Sequence, residues 1–169
     1  MRMFIFLKIA ILLILINVTI AQETQIDFSG EWILDADKSE LGERGGGRRG
    51  GMAPTKLIVQ QEENKLVVES FRKNREGEEV SVTANYTLDG EECENEIFNR
   101  TSISTAEWSE DGSSLLILTE MTFTRGDQEF TMEAETSWMI EDSLLILESS
   151  RSTPRGDMTM KAVYYKADK

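Results

Sequence analysis

The chain has 169 residues and carries 31 Asp and Glu against 18 Lys and Arg, which gives a formal net charge of −13. A field of this sign repels nucleic-acid phosphates and anionic lipid headgroups, and we therefore expect no nucleic-acid partner. The chain contains no histidine, the commonest general base at neutral pH and the commonest metal ligand. The composition thus predicts no metal site and no cofactor, and it excludes catalysis by a histidine-based triad.

The first 21 residues have the pattern of a secretory signal peptide. Arg2 and Lys8 precede an apolar run, and Ala21 stands where cleavage is expected. Lys8 and Asn17 interrupt the apolar residues, which leaves few to span about 30 Å of hydrocarbon. We predict cleavage after Ala21, a periplasmic or extracellular location, and no stable membrane anchor after cleavage. An uncleaved anchor is the alternative.

Residues 22–169 have a length suited to one domain. Loss of the leader removes two basic residues and no acid, so 16 Lys and Arg face 31 Asp and Glu and the net charge becomes −15. Cys93 is the only cysteine. No intramolecular disulfide can form, although export would permit one. The stability of the domain must therefore come from a packed core.

After residue 54, apolar and polar residues alternate with a period of two, as in half-buried strands. Gly, Asn and Asp recur at short intervals and mark hairpin turns. The pattern predicts about ten strands, near residues 28–34, 56–61, 65–73, 79–88, 92–99, 102–109, 114–124, 128–139, 143–151 and 157–166. Such short links give an antiparallel up-and-down meander, and closure into a barrel removes its unpaired edges.

Residues 42–54 interrupt this pattern with a segment rich in glycine and arginine. A segment with this many glycines has too little apolar surface to offset, by burial, the entropy lost when the chain becomes ordered. We therefore predict a flexible loop. Its cations Arg44, Arg48 and Arg49 are candidates to lie at the entrance of the barrel.

Both ends of the predicted barrel carry a family resemblance. Phe28-Ser29-Gly30-Glu31-Trp32 resembles the Phe-x-Gly-x-Trp signature of the first strand in lipocalins and fatty-acid-binding proteins. Val163-Tyr164-Tyr165-Lys166 resembles the Val-Tyr-x-Lys ending of the last strand in fatty-acid-binding proteins. The arginine that usually precedes this Val and joins the Tyr in holding a carboxylate is replaced by Ala162, so only Tyr164 matches that site.

A turn after the first strand, Ala36-Asp37-Lys38-Ser39, is similar to that of small lipocalin-like proteins exported by bacteria. The resemblance implies an all-β, lipocalin-like barrel over residues 22–169. It implies no particular reaction.

Aromatic residues at inward-facing positions are the candidates to line a ligand cavity or to fill the core: Trp32, Tyr86, Phe123, Trp138 and Tyr164. We expect the protein to bind a small apolar or amphipathic molecule, and its net charge predicts a preference for neutral or cationic lipophiles. A non-enzymatic interaction or structural module of the cell envelope is the alternative. A lipocalin-type isomerase or hydrolase with a buried carboxylate is the third hypothesis. A cavity of ~300–1,000 Å³ would favour binding, and a filled interior would favour the interaction module.

Overall fold

The protein is described by a computed structural model that covers residues 25–41, 53–74, 76–97, 100–125, 127–153 and 156–168. The strands are β1 (Gly30–Leu34), β2 (Lys56–Glu62), β3 (Lys65–Lys73), β4 (Glu79–Thr87), β5 (Cys93–Glu96), β6 (Thr101–Trp108), β7 (Leu115–Arg125), β8 (Gln128–Glu141), β9 (Leu144–Thr153) and β10 (Gly156–Lys166). The predicted signal peptide, residues 1–21, and most of the predicted loop 42–54 lie outside the described residues.

Each predicted strand is present, and β5 differs most from its predicted bounds. It ends at Glu96 rather than at residue 99. The cause is a turn, in which the backbone N–H of Ile97 donates to the carbonyl of Arg100 at 2.8 Å and the N–H of Arg100 donates back at 3.1 Å. These bonds direct the chain toward β6 before the strand can continue.

The strands form one sheet in the order β4-β3-β2-β1-β10-β9-β8-β7-β6-β5. Strands adjacent in the chain are adjacent in the sheet, except β4 and β5, which stand at its two ends, and β1 pairs with β10 so that Trp32 lies opposite Lys166. The sheet curls until its two ends, β4 and β5, face each other. The prediction of an antiparallel up-and-down barrel is confirmed.

Alternation along the strands decides which residues enter the barrel. On β8, Trp138 is buried inside, whereas Glu133 and Glu135 are exposed on the outer face. Successive side chains of a strand point to opposite faces of the sheet, so residues two apart in the sequence lie on the same side of the barrel wall. The acidic residues of β8 therefore coat the outer surface.

One end of the interior is filled with side chains, and we call it the filled end; its members include Phe28, Trp32, Leu66, Trp108, Leu115 and Leu145. The ring of Phe28 stacks on Trp108 with centroids 5.7 Å apart and meets Trp138 edge-to-face at 5.7 Å. The indole N–H of Trp32 donates to the carbonyl of Phe28 at 2.8 Å. Aromatic pairs in these geometries stabilise the fold beyond the free energy gained by burying the rings. The packed rings close this end of the barrel.

Gly30, the small residue of the first-strand motif, lies where the first strand, β1, meets the last strand, β10. Its φ of +144° is rare for any residue with a side chain. A Cβ atom there would lie 2.6 Å from Cε of Lys166, whose ammonium lies 5.2 Å from the centre of the Trp32 ring. Glycine is favoured here by this φ, which side chains rarely adopt, whereas the flexible end of Lys166 could move aside.

The segment after β1 is fixed to the outside of β10. Ser39 Oγ donates to the carbonyl of Asp35 at 2.6 Å and accepts the N–H of Val163 at 2.9 Å. Glu40 then exchanges two backbone hydrogen bonds with Lys161, at 2.7 and 2.9 Å. This turn holds the segment after β1 against β10.

Within the described residues, no cluster of three or more acid or cysteine side chains is placed to hold a metal ion, and no helix is long and apolar enough to cross a membrane.

Candidate functional site

A cavity of about 220 Å³ lies inside the barrel, next to the filled end. Its apolar wall is formed by Leu57, Val68, Ile117, Trp138, Leu147 and Met160. Typical small-molecule pockets measure ~300–1,000 Å³, so this cavity can enclose only a compact ligand or one part of a longer ligand. The interior is thus neither completely filled nor as large as the sequence argument required.

The aromatic residues singled out in the sequence fall into three groups. Tyr86, Trp138 and Tyr164 line the cavity. Trp32 belongs to the filled end. Phe123 lies on β7 and stacks on Phe130 of β8 with centroids 5.7 Å apart, away from the cavity. The predicted entrance residues Arg44, Arg48 and Arg49 lie outside the described residues.

Hydroxyl groups also line the cavity, on the same strands, β7, β8 and β9, that carry apolar lining residues. Thr136 and Ser149 both line it, and their hydroxyl oxygens lie 3.1 Å apart. Thr119 also lines it and lies 3.0 Å from Ser104, a buried serine on β6. A hydroxyl that makes one such bond retains capacity for a second partner. The cavity therefore combines apolar lining residues with groups able to form hydrogen bonds.

Arg72 on β3 is the cation that lines this cavity. Burial lowers the pKa of its guanidinium, and the nearby Tyr164 acts weakly in the opposite direction. Arginine stays protonated through a shift of this kind, because its ordinary pKa is far above neutral. The sequence holds a signal for this residue: the inward series Leu66, Val68 and Ser70 continues, with a period of two, to Arg72.

The two tyrosines of the cavity are neutral at physiological pH. Burial raises the pKa of Tyr86 to about 12. It also raises the pKa of Tyr164, whose hydroxyl donates to the carbonyl of Pro54 at 3.2 Å. None of the described lining residues is Asp or Glu. The cavity accordingly presents one positive charge, neutral hydroxyls and an apolar wall, and the carboxylate that an isomerase or hydrolase would need is not among these residues.

Two larger depressions, of about 400 and 550 Å³, lie on the outer face of the barrel. The first exposes Ile103 and Leu118 beside Glu120, Glu133 and Glu135. Both are open troughs between strands on the solvent side. Of these three pockets formed by described residues, the interior cavity is the one that lies inside the barrel, where it combines a cation with hydrogen-bonding groups.

No protein-family model matches the chain, and no curated protein matches it by sequence. Solved structures with the same architecture do match. The zebrafish ileal bile acid-binding protein complexed with cholic acid superposes with a TM-score of 0.56 at 14% identity, covering 83% of this chain and 98% of its own.

A secretory abundant heat soluble (SAHS) protein from Ramazzottius varieornatus gives 0.56 at 16% identity, over 86% of this chain and 98% of its own. The fatty-acid-binding protein 1 of Echinococcus granulosus gives 0.53 at 17% identity, over 83% and 98%. These proteins share the fold of this chain. At such identities the likeness concerns architecture alone, and it agrees with the lipocalin-like barrel that the sequence predicted.

Proposed function

We propose that the protein is an exported binding protein that holds a small amphipathic molecule inside its barrel, with an anionic or hydrogen-bond-accepting group of that molecule against Arg72. The observation that carries the proposal is the combination, in one cavity, of apolar residues, hydroxyl groups and a half-buried cation. A purely apolar ligand would match only the apolar lining residues. An amphipathic ligand satisfies all three parts.

Whether the ligand's polar group is anionic or cationic depends on which protein charges lie close to it: the acidic residues of the outer surface or Arg72 inside the cavity. The acidic outer surface acts through water and salt, where the field falls off over about 8 Å at physiological ionic strength. Arg72 acts at contact distance inside a partly buried space, where the same charge interacts more strongly. We therefore replace the preference for neutral or cationic lipophiles, which net charge alone suggested, by a preference for an anionic or acceptor group.

The names of the proteins with similar structures support a ligand of this kind. One was solved with cholic acid, and another is named for fatty acids. Both names refer to amphipathic acids. The smaller cavity of this chain favours a compact ligand, with its polar group against half-buried Arg72.

Binding of octanoate and octanol tests the proposal, since the two ligands share a chain and differ in the headgroup. Trp138 lines the cavity and supplies a fluorescence signal. We expect octanoate to bind the native protein more tightly, and Arg72→Met to weaken octanoate roughly 10- to 100-fold, as expected for loss of a hydrogen bond to a charged group. Octanol affinity should change much less.

The matched control is Lys73→Met, which removes an exposed cation from the adjacent position. It should leave both affinities unchanged. If octanoate binds equally well to the native protein and to Arg72→Met, the anionic part of the proposal is wrong. If neither ligand binds the native protein, the proposal fails as a whole.

Export is the second part of the proposal, and the basic and apolar pattern of residues 1–21 supports it. Expression of the full chain in a host with a secretory pathway should deliver a protein that begins at Gln22. N-terminal sequencing of the exported fraction measures this directly. Recovery of uncleaved chain in the membrane fraction would favour the anchor instead.

A further inference from the structure

The barrel wall has one junction of a different kind, where β4 meets β5. All other neighbouring strands are joined by backbone ladders, but no backbone hydrogen bond joins β4 to β5 among the described residues. Side chains take that role. The Asn95 amide accepts the N–H of Asn85 at 2.7 Å and donates to its carbonyl at 3.0 Å. Two residues along, the N–H of Thr87 donates to Sγ of Cys93 at 3.2 Å. We call Asn85, Thr87, Cys93 and Asn95 the seam.

At this junction, the side-chain amide of Asn95 takes the place of the backbone of a neighbouring strand. An amide with one oxygen and one N–H₂ group offers the acceptor and the donor that a backbone residue of an antiparallel partner would offer. Its side chain is buried, with 5% of the residue exposed, and its own carbonyl accepts a hydrogen bond from Ser102 Oγ at 3.3 Å. The seam is therefore closed in this structure, but by a few side-chain bonds rather than by a ladder.

The seam adjoins the cavity wall. Ala84 and Tyr86, which flank Asn85, line the cavity from β4, and Ile97 lines it from the other side of the seam. At its far end the seam is fastened, because the N–H of Gly90 donates to the carbonyl of Ala106 at 3.0 Å. Parting of β4 from β5 would open the cavity sideways, while the filled end blocks passage below it.

We propose that the ligand enters and leaves the cavity through the seam, and that Asn95 and Cys93 act as positioning residues that set the rate of this exchange. Local opening in proteins occurs where the fewest bonds must break, and in this wall that place is the seam. The inference rests on the proposed function, since it concerns access to the same cavity.

The chain offers a direct way to lock the seam. Cys93 is its only cysteine, and its Sγ lies 3.5 Å from Oγ1 of Thr87 across the junction. Thr87→Cys therefore places two sulfur atoms face to face, where mild oxidation can join β4 to β5 by a disulfide. The same chain in its reduced form is the control for folding. Thr87→Cys combined with Cys93→Ser is the control for the substitution and for the oxidant.

The measurement is stopped-flow fluorescence with 1-anilinonaphthalene-8-sulfonate, an anionic amphiphile, as the probe. We expect oxidation to slow association and dissociation of the probe by the same factor, tenfold or more, so that Kd is unchanged, and reduction to restore both rates. Unchanged rates in the oxidised protein would overturn the seam as the route and leave the proposed function standing. Absence of probe binding to the native protein would overturn both.

A second variant loosens the seam. Asn95→Ser removes both bonds to Asn85, so exchange of the probe and hydrogen exchange at the Asn85 amide should accelerate several-fold. Gln61→Ser is the matched control, because the Gln61 amide on β2, two strands away from β4, also accepts a backbone N–H, that of Phe28 at 3.0 Å, and donates to a backbone carbonyl, that of Ile26 at 2.9 Å. Equal acceleration in the two variants would show general loosening of the barrel and would overturn the assignment.

Discussion

The two halves of the barrel interior are built from the same strands and differ in the size of their side chains. On β7, Leu115 belongs to the filled end, and Ile117 and Thr119 follow it into the cavity. On β9, Leu145 belongs to the filled end, whereas Ser149 lines the cavity. Side chains thus become smaller or more polar along the strands. The cavity results from this change in side chains and requires no widening of the backbone.

This division separates stability from binding. In the filled end, large rings and leucines touch neighbours on all sides, and such packing makes a core sensitive to the loss of even a single methylene group. The hollow half lacks those contacts and holds hydroxyls and Arg72 in their place. Substitutions in the filled end should therefore change the free energy of unfolding most, and those in the hollow half should mainly change affinity.

The largest expected effect is that of Trp32→Ala. The ring is 2% exposed, and its N–H donates to the carbonyl of Phe28. Its removal leaves a void next to Gly30, which has no side chain to fill it, and should cost roughly 3–5 kcal/mol of unfolding free energy. Urea denaturation of the mature domain measures this cost. Trp32→Phe, which keeps a ring but loses the N–H, should cost less; a loss near zero for Trp32→Ala would mean that the filled end does not hold the barrel together.

The sequence predicted the strands and their connection because both depend on local patterns. A period of two with turn residues at short intervals specifies hairpins, and consecutive hairpins leave few topologies open. The position of a residue along the barrel axis is a different matter. Phe123 and Trp138 both face inward on their strands, yet only Trp138 lies at the height of the cavity. Alternation reports the face of a strand and not the level within the barrel.

Arg72 and Asn95 were missed for two further reasons. Net charge averages over the whole surface, so it gave no sign that one cation lies inside, although the alternation on β3 points Arg72 inward. The role of Asn95 depends on which strands end the sheet. That became visible only when β4 and β5 were found at the two ends of the strand order. In the sequence, Asn95 stands between two glutamates within the predicted strand 92–99, and nothing there marks its side chain as a partner of another strand.

A smaller effect would test the division between the two halves most directly. Leu145 and Leu147 lie two residues apart on the inner face of β9, with 0% and 7% of their surface exposed. Leu145 belongs to the filled end alone, whereas Leu147 also lines the cavity. Leu→Ala substitutions cost about 2–5 kcal/mol, and the cost grows with the void that is left behind. We expect Leu145→Ala to lie near the upper bound and Leu147→Ala near the lower bound, since Leu147 already has an empty side and makes fewer contacts to lose.

Urea unfolding of the two variants, with equal m-values as the check that both unfold from the same folded state, measures the difference. Leu147→Ala should also enlarge the cavity and improve the affinity for decanoate relative to octanoate, an effect that Leu145→Ala should not produce. Equal losses of stability, with no change in the preferred chain length, would mean that the cavity collapses around the substitution. In that case the hollow half would be ordinary core, and the separation of packing from binding along β9 would be wrong.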